Sequence, residues 1–350
     1  MRIEQLTFTR FLAAISIVFF HFGRGVFPFQ SEFSLFLLLQ TNIGVSYFYV
    51  LSGFVLVIAY GNKPKINAPE FYKNRFARTY PAHFLALVLL LIFILTASAP
   101  FDRTGLALNL ILIQSWIPAK ALSFNTPAWS LSVEFFFYLL FPYLFNKLYN
   151  RIHLKATTVL VLSLFIITQL LFNIGNFSSF NAGYGTTSYN FLYYFPVMHL
   201  SSFMMGNLAA LYFLKFWKNK RMNADIIIIL LIIISISALY LKDYVCFHNG
   251  LMAVLFVPII LLFAINNGFI SRICQWKPLV FLGEISYGIY ILQIPVFEIS
   301  KYVLNNSGIT NSLAVFYISL VTLLIVSGIS YTFFENPLRN IIKYKHLRLN

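Results

Sequence analysis

The chain has 350 residues, 59% of them apolar and only 10% charged, with 25 Lys and Arg against 10 Asp and Glu for a net charge of +15. A soluble domain carries about 25% charged residues, whereas apolar runs of the roughly 17–25 residues needed to cross a hydrocarbon core recur here from end to end. This excludes a soluble globular domain. It also excludes a membrane β-barrel, which reads as alternating segments of about ten residues. Because the basic residues fall between apolar runs, their excess follows the positive-inside rule and does not form a nucleic-acid surface.

The predicted fold is all-α: a single polytopic membrane bundle over residues 1–350. The N-terminus has a charged start and an apolar run like a signal peptide. No small-residue cleavage site follows, so it reads as a retained first span, residues 7–27. This span holds Arg10 and His21. Eleven residues place the two side chains about 20° apart around a helix axis and about 16 Å apart along it. Such ionisable groups inside a span face a cavity or a partner and mark function by default. A histidine hydrogen-bonded to a neighbouring helix is the structural alternative.

The second span, 43–60, is followed by a basic stretch with Lys63, Lys65, Lys73, Arg75 and Arg78, and then by a span at 80–98. Residues 106–117 are apolar but too short to cross, which predicts a re-entrant or interfacial segment. Further spans are predicted at 129–145, 157–174, 190–214, 225–241, 249–266, 280–299 and 312–333. With 106–117 not crossing, there are ten crossings, both termini are cytoplasmic, and 20 of the 25 Lys and Arg lie inside. Cys246 and Cys274 fall at opposite ends of one span and are not expected to pair, and no metal-ligand spacing involves them.

Arg75 and Arg78, spaced i, i+3, share a helix face. Arginine forks suit phosphate oxygens, although a juxtamembrane pair drawn to anionic lipid has the same pattern. Glu134, in the run from Trp129 through Ser130 and Ser132, is expected about as deep as His21. It is therefore the candidate to orient that ring or balance its charge, the alternative being a structural pair with another span. Ser130 and Tyr138, four residues either side, are its candidate hydrogen-bond partners. His83 is expected in a snorkelling or interfacial role. His199 and Gln293 are expected in interhelical hydrogen bonds or lining a cavity, and Glu335 is expected to pair with a basic neighbour such as Arg339.

These features together resemble the integral-membrane acyltransferase-3 family, which O-acylates bacterial surface glycans and small acceptors. Arg10 and His21 reproduce its basic-residue, ten-residue gap, histidine signature. Gly44 through Leu51-Ser52-Gly53-Phe54 resembles its second span, and Arg75-Phe76-Ala77-Arg78-Thr79-Tyr80-Pro81 its paired-arginine segment. Trp129-Ser130-Leu131-Ser132-Val133-Glu134 is similar to its Trp-Ser-Leu-Ser-x-Glu segment. Phe281 to Tyr287 and Phe334-Glu335-Asn336-Pro337 resemble its closing motifs. The chain departs from the family at Gln293, where many members have His, and at His199, where many have Arg.

The resemblance implies a multi-pass protein of the bacterial plasma (inner) membrane that binds acyl-coenzyme A, most often acetyl-CoA, as donor substrate. It implies no resident metal or cofactor. Phosphates would dock on Arg75 and Arg78, with Arg10 the candidate third cation. His21 would act as general base on an acceptor hydroxyl or carry the acyl group, with Glu134 beside it. The acceptor would be an extracytoplasmic or lipid-linked sugar. Composition alone leaves a second reading open, a transporter or flippase for a glycan or small solute, whose substrate flux needs no acyl-CoA.

Overall fold

The computed structural model describes residues 3–344, and these are helical apart from turns, loops and a single bridge between Met222 and Asn266. The helices are α1 (Gln5–Phe22), α2 (Glu32–Gln40), α3 (Gly44–Tyr60), α4 (Ala68–Thr96), α5 (Arg103–Leu110), α6 (Ala128–Tyr143), α7 (Leu154–Phe177), α8 (Thr187–Tyr194), α9 (Leu200–Tyr212), α10 (Asp225–Ala238), α11 (Ala253–Ile265), α12 (Phe269–Cys274), α13 (Lys277–Asn306), α14 (Ser312–Ile329) and α15 (Asn336–Tyr344). Short 3-10 or π turns join α2 to α3, α8 to α9 and α14 to α15 into longer segments. Among the described residues, eight segments are long and apolar enough to cross a membrane. The two shorter apolar helices Asp225–Leu241 and Ala253–Ile265 lie where the remaining two spans are predicted. The chain termini, with Arg2, Lys345 and Arg348 of the basic residues assigned inside, lie outside the described residues.

Helix α1 buries Leu6, Thr9, Ala13 and Ile17 along one stripe, the i, i+3, i+4 spacing that seats one helix face in a bundle. It lies against α3 and α13. Small residues set these approaches: a Cβ on Gly283 would run into the Thr7 carbonyl, and one on Gly206 of α9 into the Val50 carbonyl of α3. By contrast α7 and α10 expose Ile166, Leu170, Ile226 and Ile233, the apolar surface expected of helices facing lipid.

Two elements matter for the site. Helix α4 begins at Ala68, with Asn67 accepting the Glu70 N–H (3.2 Å) and Pro69 in its first turn, and it runs on through Pro81. Lys73, Arg75 and Arg78 are therefore on the same helix as the span, with Arg75 and Arg78 on one helix face as expected. An N-cap and an early proline are strong start signals, whereas the apolar run that marks a span begins three turns later.

The second lies at 106–117. As predicted, it does not form a spanning helix: α5 is followed by 3-10 turns. The segment packs over the start of α6 and is tied there. Gln114 Nε2 donates to the Ala128 carbonyl (2.8 Å), Ser115 Oγ to Trp129 (2.8 Å), and Ser132 Oγ back to Leu112 (2.7 Å). Asn125 Nδ2 donates to the Ile291 carbonyl of α13 at 3.1 Å. Pro295 has no N–H to give that carbonyl, so Asn125 supplies the bond the proline removes. Cys246 and Cys274 are free thiols.

Candidate active site

A cavity of about 390 Å³ opens between α1, α3, α4, α6, α13 and α15. Arg10 projects into it from α1, Arg75 and Arg78 from one face of α4, and Arg339 from α15; Glu134 of α6 lies among them. Ser52 Oγ (3.0 Å) and the Tyr138 hydroxyl (2.6 Å) both donate to Glu134 Oε1. The Arg75 guanidinium lies over the rings of Phe71 (5.5 Å) and Tyr138 (5.8 Å), and its buried Nε has no hydrogen-bond partner. Among the described residues, the ion pairs within 4.0 Å are Lys120–Asp102 and Lys242–Asp243, both outside this cavity. Among the described residues its four arginines make no direct ion pair, and against the carboxylates of Glu134, Glu284 and Glu335 they leave positive charge in excess, which suits an anionic ligand.

His21 lies further along α1. Successive turns of α13 show the direction: Glu284, Tyr287 and Tyr290 line the cavity, and Gln293 follows one turn later. Gln293 Oε1 is 2.8 Å from His21 Nδ1, and Gln293 Nε2 donates to the Tyr290 carbonyl at 2.7 Å. The Tyr290 and Ser130 hydroxyls lie 2.7 Å apart and both reach the Pro127 carbonyl. Phe48 and Tyr290, in edge contact at 6.0 Å, both line the cavity, and Tyr290 is one turn of α13 from Gln293. The His21 ring meets the edges of Phe20 and Phe22.

The structure brings together Arg10, Arg75, Arg78 and Glu134 as one group, and it separates Glu134 from His21. The expected Glu134–His21 partnership is corrected: the hydrogen-bond partner of His21 is Gln293. The prediction counted depth from the first residue of α6 as though that helix began at the surface. The segment 103–127 caps α6 from above, so Glu134 sits at the level of the arginines. Tyr138 is the partner of Glu134 as expected, whereas Ser130 turns to Tyr290.

Other expectations are also revised. His83 is fully buried, its Nε2 2.8 Å from the Asn109 carbonyl, and does not snorkel. Glu335 accepts from Ser330 Oγ at 2.9 Å, with no ion pair to Arg339 among the described residues. Glu335 instead turns back to Ser330, five residues earlier, within the π-helical turn Ser330–Glu335. His199 makes an interhelical packing contact, tilted against Trp129 and edge-on to His248, with Nε2 3.0 Å from the Tyr193 carbonyl. Sequence reasoning missed Ser52 and Tyr290, and it did not place Gln293 beside His21. A lone signal for the last was available: a buried amide one turn beyond a Ser-Tyr motif must find a partner on another helix.

The fold and this site define a multi-pass helical membrane protein with an arginine-lined internal cavity. The family model described as an acyltransferase domain matches residues 3–332, and the chain belongs to that acyltransferase-3 family. It is 35% identical to acyltransferase MdmB of Streptomyces mycarofaciens over 167 residues, covering 44% of this chain and 42% of that protein. It is 26% identical to the putative peptidoglycan O-acetyltransferase YrhL of Bacillus subtilis over 338 residues (85% and 50%). It is likewise 26% identical to O-acetyltransferase OatA of Staphylococcus aureus over 326 residues (85% and 52%). The chain spans about half the length of the curated relatives it matches. No solved structure matches it.

Proposed function

We propose that this chain is a transmembrane O-acyltransferase of the bacterial inner membrane. It moves an acyl group, most simply acetyl, from cytoplasmic acyl-CoA to a hydroxyl of an extracytoplasmic or lipid-linked sugar. The observation that carries this reading is the arrangement along α1. Arg10 meets Arg75 and Arg78 in one cavity, and His21 stands three turns further along the same helix. The names of YrhL and OatA, O-acetyltransferases both, support the same reaction class.

In this reading the phosphates of acyl-CoA bind the guanidinium forks, and the thioester arm extends toward His21. Glu134 keeps the guanidinium cluster from excess mutual repulsion. The acceptor hydroxyl oxygen attacks the thioester carbonyl as His21 takes its proton; the C–S bond then breaks, and the proton passes to the departing thiolate. The ring ends neutral, and the products are an ester and free CoA.

The test uses purified full-length protein in liposomes with labelled acetyl-CoA and glycan strands from digested cell wall. His21→Ala is expected to lower transfer by about 10²–10⁴-fold, the usual contribution of a general base, while acetyl-CoA still binds. Normal transfer in that variant would overturn the catalytic assignment. Glycan flux without any acyl-CoA would favour a transporter.

A further inference from the structure

Gln293 is fully buried on α13, so its amide has to be satisfied within the protein. Its two ends are not interchangeable. The Tyr290 carbonyl can only accept, so the group 2.7 Å from it must be the Gln293 NH₂. The atom facing His21 is then Oε1, which also can only accept. His21 Nδ1 must therefore carry the ring proton, and Nε2 is left with the lone pair. The carbonyl that anchors the amide belongs to the residue whose hydroxyl meets Ser130 in the cavity lining. On the other side, Asn125 takes the Ile291 carbonyl and fixes this proline-interrupted part of α13.

We propose that Gln293 is a positioning residue for acyl transfer: it selects the Nδ1–H tautomer of His21 and holds the ring so that Nε2 faces the acceptor hydroxyl. The inference rests on the proposed role of His21 as general base. It assigns to an uncharged amide the orienting task that a carboxylate performs in many acid–base sites, and it leaves Glu134 wholly to the arginine cavity.

The experiment compares Gln293→Leu, Gln293→Glu and His21→Ala as full chains in liposomes, with labelled acetyl-CoA and digested cell-wall glycan as probes. Three quantities are read: the transfer rate at saturating donor, the affinity for acetyl-CoA and the melting temperature. Leucine keeps the volume but offers no acceptor. It is expected to lower the transfer rate about 10- to 100-fold, the range for losing an orienting partner, with acetyl-CoA affinity within about 2-fold of the parent. Glutamate retains the acceptor oxygen and is expected to rescue most of the rate. If the leucine variant does not fold, Gln293→Met reads the same loss. A folded leucine or methionine variant with the parental rate overturns the inference, as does a glutamate variant as slow as leucine. When His21→Ala is inactive, either of those results overturns the role of Gln293 alone; an active His21→Ala overturns both it and the general-base reading.

Discussion

The Tyr138 hydroxyl donates to Glu134 across 2.6 Å, one turn along α6, while the Tyr138 ring supports the Arg75 guanidinium. One side chain thus fixes both a carboxylate and a cation of the cavity. Tyr138→Phe separates the two tasks, because the ring stays and the hydrogen bond goes. Removing one donor to this half-buried carboxylate is expected to destabilise by about 1 kcal/mol, read as a lower melting temperature. Acyl-CoA affinity should change little. Glu134→Ala should cost more stability, since it leaves the Ser52 and Tyr138 hydroxyls unpaired and the arginines uncompensated.

Arg75 and Arg78 share the face of α4 that lines the cavity. Replacing either by Ala should weaken acetyl-CoA binding by about 10- to 100-fold, the worth of a charge-assisted hydrogen bond to phosphate. Titration calorimetry on the detergent-solubilised protein checks this. Arg75→Lys should fall short of full rescue, because an ammonium cannot reproduce the planar stack on Phe71 and Tyr138.

Asn125 and Pro295 form a compensating pair around the Ile291 carbonyl. Asn125→Ala alone leaves that buried acceptor without a partner, an expected loss of about 1–3 kcal/mol. Combined with Pro295→Ala, which restores a backbone donor, the loss should be much smaller than the sum of the two single changes. A double-mutant cycle on thermal stability reads the coupling directly; strict additivity would refute it.

Gly206 sits against the Val50 carbonyl at the α3–α9 crossing. A Gly206→Leu chain should fail to reach the membrane as folded protein, measured by size-exclusion profile, because backbone rather than a flexible side chain blocks the added atoms.

Asp102 caps α5: its Oδ1 accepts the Gly105 N–H at 2.8 Å, and its Oδ2 pairs with Lys120 at 2.9 Å. The Gly105 N–H and then Lys120 hold this exposed carboxyl below its ordinary value of 3.8. A depressed folded-state value means that the unfolded segment binds the proton more readily. The cap's contribution is therefore present above about pH 3.8 and lost as the pH falls through the lower folded-state value. Hydrogen exchange of residues 103–110 should rise on acidification, and Asp102→Asn should flatten that dependence.

Composition and the spacing of apolar runs by themselves determined the membrane class, the eight segments of crossing length and the lack of a spanning helix at 106–117. These follow from the thickness of a hydrocarbon core and the need to satisfy every backbone polar group inside it. The Arg10–His21 stripe was equally legible, because helical geometry fixes the phase and rise of residues within one helix. Only the tertiary structure decided the partners. Relative depth depends on where each helix starts, and the cap of 103–127 lowered Glu134 from the expected level of His21 to that of the arginines. Gln293 met His21 because α1 and α13 approach closely at Gly283, a contact 272 residues apart in sequence that no local spacing encodes.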